Sequence, residues 1–182
     1  MRFSLASLSF LLLAAACGQV PAPSTTAPPL MATDFDQCLG WGGGDQSALT
    51  TAQAHSGRVA TLASPQVPFS YTFARHLEQL SPTKKLHQLE LTAWVRRTDA
   101  GSLAKLVTQV DVSDTDETHV FYAATPVAEA APALGEWVAV KVPITLPATA
   151  EGTNKLKVYL WNDQATSPTY LDDVALTVVA DK

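Results

Sequence analysis

From Leu86 to Arg97 the chain alternates: His87, Leu89, Leu91, Ala93 and Val95 occupy one set of positions, and Gln88, Glu90, Thr92, Trp94 and Arg96 the other. A period of two with one apolar and one polar face is the signature of a half-buried β-strand. The pattern recurs. Leu103 to Val112 sets Ala104, Leu106, Val110 and Val112 against Lys105, Gln109 and Asp111, and His119 to Ala124 is a short strand. Trp137 to Leu146 carries Val138, Val140, Val142 and Ile144 on one side. Lys155 to Trp161 turns Leu156, Val158 and Leu160 inward and Lys157, Tyr159 and Trp161 outward, and Tyr170 to Val179 is the last strand. Gly57 to Leu62 and Phe69 to Phe73 also read as strands, with Phe69, Tyr71 and Phe73 filling the core from one side. Asp99-Ala100-Gly101, Ser113–Glu117 and Asp163–Pro168 supply turn chemistry between them. Only Ala74–Leu80 and the Ala/Pro-broken Val127–Leu134 suggest helix, and no internal repeat is present. Eight to ten short strands predict an all-β fold, an antiparallel sandwich or barrel.

The first thirty residues follow another pattern. Met1-Arg2 precedes an apolar run from Leu5 to Ala16, too short for a bilayer-spanning helix and suited to a signal peptide over residues 1–16. Its end, Leu13-Ala14-Ala15-Ala16-Cys17, resembles a bacterial lipobox, with Ala14 where leucine is usual. That resemblance implies lipidation at Cys17; the other reading is a secretory leader cut after an Ala-x-Ala. Residues 17–32, rich in proline and free of charge, read as a Pro/Ser/Thr tether, with one module from 33 to 182. The expected place is the bacterial cell envelope, lipid-anchored to a membrane. Gly18, in place of an acidic retention residue, points to the outer one, with surface or periplasmic orientation left open.

Charge and cysteine content narrow the partners. Twelve Lys/Arg against 17 Asp/Glu give a net charge of −5, which repels phosphate backbones and argues against nucleic acid. Two cysteines supply neither a disulfide framework nor a zinc cluster. With Cys17 consumed by lipid, Cys38 has no partner and reads as a small buried hydrophobe. His55, His76, His87 and His119 form no metal motif, and His87 reads as a core histidine. The glycine-rich stretch Gly40–Gly44 lacks the lysine and hydroxyl of a phosphate loop.

Aromatic rings on polar strand faces are the candidate chemistry. A pyranose packs its C–H face on a π surface while neighbouring polar groups bond its hydroxyls. Trp94 beside Gln88, Glu90 and Arg96 offers one such face; Tyr159 and Trp161 beside Lys157 offer another. These residues are the expected ligand contacts, unless a loop covers the rings. Trp137 reads as core. Glu90 and Asp111 form the only carboxylate pair that suggests acid–base work, and the scatter of other candidates argues against an enzyme.

Several pieces recur together in one family: Asp34-Phe35-Asp36, Gly40-Trp41, Ala54-His55-Ser56-Gly57-Arg58, Leu91-Thr92-Ala93-Trp94-Val95-Arg96, Gly135-Glu136-Trp137-Val138 and Tyr170-Leu171-Asp172-Asp173-Val174. In this order they resemble the galactose-binding-like jelly rolls, specifically bacterial carbohydrate-binding modules. The resemblance implies an antiparallel jelly-roll β-sandwich, a Trp41 packed beneath it, and a structural calcium. Asp34, Asp36, Asp172 and Asp173 would supply carboxylates, with carbonyls near Ser56 and Gly57. Asp36 is shorter than the family's usual glutamate, and alternation places Asp172 with Val174 and Leu176 at the core edge. The other reading of these acids is turn capping. The expectation is a monomeric, non-catalytic carbohydrate- or glycan-binding module of an envelope lipoprotein; the alternative is a structural or adhesive lipoprotein that binds protein or no small ligand.

Overall fold

The computed structural model describes residues 28–38, 41–43 and 45–179. The leader, Cys17, most of the tether, Gly40 and Gly44 lie outside the described residues. In chain order the strands are β1 (Met31–Thr33), β2 (Gly42–Gly43), β3 (Leu49–Thr50), β4 (Ala60–Ala63), β5 (Thr72–His76), β6 (Gln88–Arg97), β7 (Lys105–Asp111), β8 (His119–Pro126), β9 (Trp137–Thr145), β10 (Lys155–Trp161) and β11 (Thr169–Val178). A 3₁₀ turn (Gln46–Ala48) and two single-turn helices, α1 (Leu77–Leu80) and α2 (Val127–Ala130), interrupt them. Both helices are shorter than the sequence suggests, because residues 72–76 continue as strand and Pro132 follows closely on α2.

The strands form two antiparallel sheets. One has six strands in the order β3-β4-β11-β6-β9, with β1 also on β11; the other has five, in the order β2-β5-β10-β7-β8. The alternating residues meet between them. Leu89, Leu91 and Val95 of β6 and Leu171, Val174 and Leu176 of β11 pack with Leu106 and Val110 of β7 and Leu156, Val158 and Leu160 of β10. Each such side chain contributes about 1.5–3 kcal/mol by leaving water. Trp41 is 5 % exposed and lies edge-on to Phe35 and Phe73, with ring centroids 5.6 and 5.0 Å away, so it packs beneath the sandwich. The architecture is the expected jelly-roll sandwich.

Phe69, His87 and Trp137 are among the positions that depart from the expected placement. Phe69 is 50 % exposed, because strand β5 begins only at Thr72 and leaves it outside the sandwich. His87 precedes β6, is exposed, and bonds the Leu146 carbonyl through Nδ1 at 2.7 Å. Trp137 pairs in register with Arg96 across β6 and β9, which puts it on the outer side of the six-stranded sheet, not in the core.

One junction ties the chain's first and last strands together. Strand β11 pairs with β4 over Thr169–Leu171 and with β1 over Val174–Leu176. Between them Asp172-Asp173 forms a bulge, with Asp173 at φ +47°. Asp172 itself pairs with Trp94 ahead of the register shift, so it lies on the outer side of the sheet and not at the core edge with Val174 and Leu176. It is fully buried by the turn at residues 55–59. Its carboxylate accepts the backbone N–H of His55 at 2.7 Å, Ser56 at 3.2 Å and Asp173 at 2.8 Å. From the other side Asp36 accepts the N–H groups of Arg58 and Val59, each at 2.8 Å. Carboxylates from both ends of the chain thus grip the turn at residues 55–59. Asp172→Asn, which presents an amide to N–H donors, is expected to cost about 2 kcal/mol, or about 6 °C in Tm by thermal denaturation. An unchanged Tm would show that the grip is dispensable.

Candidate functional site

The ligand contacts expected from the sequence fall on opposite sides of the sandwich. Gln88, Glu90, Trp94 and Arg96 alternate along the outer side of β6 in the six-stranded sheet, while Tyr159 and Trp161 lie on the outer side of β10 in the five-stranded sheet. They make two surfaces, not one. Glu90 and Asp111 are likewise split between sheets, so the suggested carboxylate pair does not exist.

On the six-stranded side Trp94 is partly covered and stays half-buried. The His55 imidazole stacks on it with centroids 3.8 Å apart and planes 14° from parallel, and meets Trp137 edge-on at 5.8 Å. His55 is held there through Nδ1, 2.5 Å from Asp173 Oδ2, while Ser56 Oγ donates to Asp173 Oδ1 at 2.6 Å. Glu90 pairs with Lys141 at 3.3 Å, Arg96 donates to Gln53, and Gln88 is exposed. The turn that was a candidate ion site is therefore the lid over the tryptophan.

The same contacts test the calcium expectation. Calcium takes six to eight oxygen ligands. Here Oδ1 of Asp36 and both oxygens of Asp172 face backbone N–H groups, and those of Asp173 face Ser56 and His55. Asp34 accepts the Asp36 N–H. Among the described residues no three acidic, histidine or cysteine side chains converge to hold a metal. The bonds to Asp36 Oδ1, Asp34 Oδ1 and Asp172 are those of the turn-capping reading. Burial pushes the Asp172 carboxyl up despite its three N–H donors.

The five-stranded side is richer than its sequence suggests. Register places Tyr159 beside Val107, Lys157 beside Gln109, and Gln109 beside Tyr122. Gln109 and Asp111, read as wet positions, are instead 6 % and 0 % exposed, because side chains of the flanking strands fold over them. Asp111 accepts Lys157 Nζ at 2.8 Å, lies 2.7 Å from His119 Nδ1, and accepts the Gln109 amide through both oxygens. Lys157 also reaches Glu117 at 3.0 Å. Burial alone would raise the Asp111 carboxyl, but the bonds from Lys157, Gln109 and His119 outweigh it and hold it below the usual carboxylate range. Lys157 is desolvated too, yet its bonds to Asp111 and Glu117 hold its ammonium above the usual lysine range.

Aromatic rings surround this network. The Tyr159 hydroxyl donates to Gln109 Oε1 at 2.6 Å, and burial raises its phenol to about 12. Phe69 stands edge-on to Tyr159 at 5.8 Å, and its backbone forms a β-bridge with that of Trp161, over whose ring Lys105 Nζ sits at 5.3 Å while pairing with Asp163 at 2.5 Å. Tyr122, 45 % exposed, stacks on His119 at 5.2 Å. Rings on three chain segments thus flank hydrogen-bonding groups whose charges are already matched. Such a surface can stack and bond a neutral, hydroxyl-rich ligand; the acids are engaged, which leaves no free proton donor or acceptor pair. The sequence signal for Gln109, Asp111, Tyr122 and His119 is an acid and an amide set in an apolar strand, followed by a hairpin that returns aromatics beside them.

No protein-family model matches the chain, and no curated protein sequence matches it. Solved structures do resemble it. The CBM22-1 xylan-binding domain of Paenibacillus barcinonensis Xyn10C is 17 % identical with a TM-score of 0.53, covering 86 % of this chain and 98 % of that one. A xylan-binding domain from CBM22 is 14 % identical with a TM-score of 0.57, covering 88 % and 99 %. A family 16 carbohydrate-binding module is 17 % identical with a TM-score of 0.50, covering 74 % and 89 %. The chain has the jelly-roll fold of carbohydrate-binding modules.

Proposed function

We propose that the outer side of the five-stranded sheet binds polysaccharide without catalysis, in a module that lipidated Cys17 holds at the bacterial cell envelope. The observation that carries this reading is the group of rings, Phe69, Tyr122, Tyr159 and Trp161, around the buried pair Gln109 and Asp111. A folded protein gains little by holding Phe69 and Tyr122 half in water; a sugar surface covers them. The fold shared with xylan-binding domains makes xylan the first polysaccharide to test. Binding at an open face with few desolvated contacts is weak, in the range where avidity and anchoring matter.

Affinity electrophoresis on soluble xylan and other neutral polysaccharides tests this directly. The protein is expected to be retarded, and Tyr122→Ala and Tyr159→Ala to lose about tenfold in affinity, which is about 1.4 kcal/mol each. Tyr122 is exposed enough for its truncation to leave Tm unchanged. Absence of retardation by every polysaccharide, with the fold intact, would favour the structural or adhesive lipoprotein.

Acid should weaken the same face. A carboxyl whose folded pKa is depressed adds stability above its unfolded value, and that stability is lost as pH falls through the folded value. For Asp111 the unfolded reference is 3.8. The stability difference between the wild type and Asp111→Asn is expected to be constant above about pH 5 and to shrink below about pH 4 in urea titrations. A difference independent of pH would remove the ion pair from the account.

Because the turn at residues 55–59 is gripped by N–H bonds, EDTA is expected to leave Tm and xylan retardation unchanged. A fall of several degrees, restored by calcium, would overturn that expectation.

A further inference from the structure

The six-stranded sheet carries a second, chemically different surface. Its feature is Arg96. Register sets Arg96 between Trp137 on β9 and Tyr170 on β11, all three partly exposed on the outer side. Trp94, under His55, lies two residues along the same side of the strand. The guanidinium donates to the Gln53 side chain, a neutral partner, and its Nε is buried with no partner. No carboxylate lies within ion-pair distance of it among the described residues, whereas Lys105, Lys141, Lys155 and Lys157 are all paired with acids.

A partly buried guanidinium without an anion is an unsatisfied donor fork held in one place by its neighbours. The acids near this surface do not answer it: Glu136, next to Trp137, is exposed and makes no ion pair among the described residues, and Asp99 accepts the Gly101 N–H. Asp172 is buried on backbone N–H groups, and Asp173 is engaged by His55 and Ser56. Guanidinium matches carboxylate in a planar, two-point geometry that lysine does not reproduce. Aromatic side chains on both flanks add the stacking partners that a sugar ring uses.

We propose that Arg96, with Trp137 and Tyr170 beside it, forms a second binding site for a carboxylate-bearing sugar, a uronic acid residue of an acidic glycan. The site is independent of the five-stranded face, which presents matched charges to a neutral ligand. A chain carrying both kinds of residue can engage the two sides of one module.

The test is affinity electrophoresis in sodium polygalacturonate and in the same polymer with its carboxyls methyl-esterified. Retardation is expected with the acid form, at least fivefold weaker with the ester, and weaker again as salt rises from 50 to 300 mM. Arg96→Gln should lose at least fivefold in affinity for the acid polymer, Arg96→Lys should recover part of it, and Tyr122→Ala should leave it unchanged. Trp137→Ala serves the same purpose where Arg96→Gln lowers Tm. Equal retardation of wild type and Arg96→Gln, no preference for the acid form, or loss of acid binding in Tyr122→Ala would overturn the second site. None of these outcomes touches neutral-polysaccharide binding by the tyrosines, so the two readings fail separately.

Discussion

A buried carboxylate holds this sandwich closed. Asp172 is fully removed from water, which is costly for an ion, and it stays because three backbone N–H groups converge on it. Two of those groups belong to a turn more than a hundred residues earlier in the chain. Asp36 takes the next two N–H groups of the same turn from the start of the fold. The first strand, the turn before β4 and the last strand are thereby fixed by a handful of charge-assisted bonds where β11 changes partner. What reaches the six-stranded surface follows from this. His55 lies on Trp94 because its backbone is pinned by Asp172 and its ring by Asp173.

The two outer faces then diverge in chemistry although both come from the same strand alternation. On the five-stranded side, long charged side chains fold over short ones, so ions neutralise one another and rings are left at the rim. On the six-stranded side, an imidazole covers one tryptophan and a guanidinium stands between two further rings without an acid. A flat count of charges, −5 for the chain, conceals this difference. On the proposed readings, ligand preference would follow from pairing, because a paired lysine repels no neutral sugar and attracts no acidic one.

The alternation along β6, β7, β9, β10 and β11 made the sheets legible, since period two and turn residues are local properties of the chain. The outward placement of Tyr159 and Trp161 was equally legible. What a strand pattern does not carry is the sheet to which each strand belongs. Trp94 and Trp161 look alike in sequence and lie on opposite sides, because β6 pairs with β11 and β9 while β10 pairs with β5 and β7. Burial on an outer face was also hidden. Gln109 and Asp111 occupy positions that alternate outward, and only the reach of Lys157, His119 and Tyr159 from neighbouring strands covers them. Trp137 was misplaced for a related reason: a large ring at a strand's first residue reads as core until its cross-strand partner is known to be Arg96. The motif acids were recognisable as a cluster, but carboxylates around a turn suit either oxygen-bound metal or N–H donors, and only geometry separates the two.

Gly57 shows how far that geometry reaches. It sits in water at the surface, where substitutions are ordinarily harmless, yet its φ is +55° and a methyl group there would stand 2.5 Å from Asp36 Oδ2. Any other residue must both adopt a left-handed backbone and push aside the carboxylate that closes the neighbouring N–H groups. Solvent exposure and mutational freedom therefore part company at this position: in a library of random variants it would behave like the middle of the core, and a designer grafting new loops onto this scaffold would have to keep it.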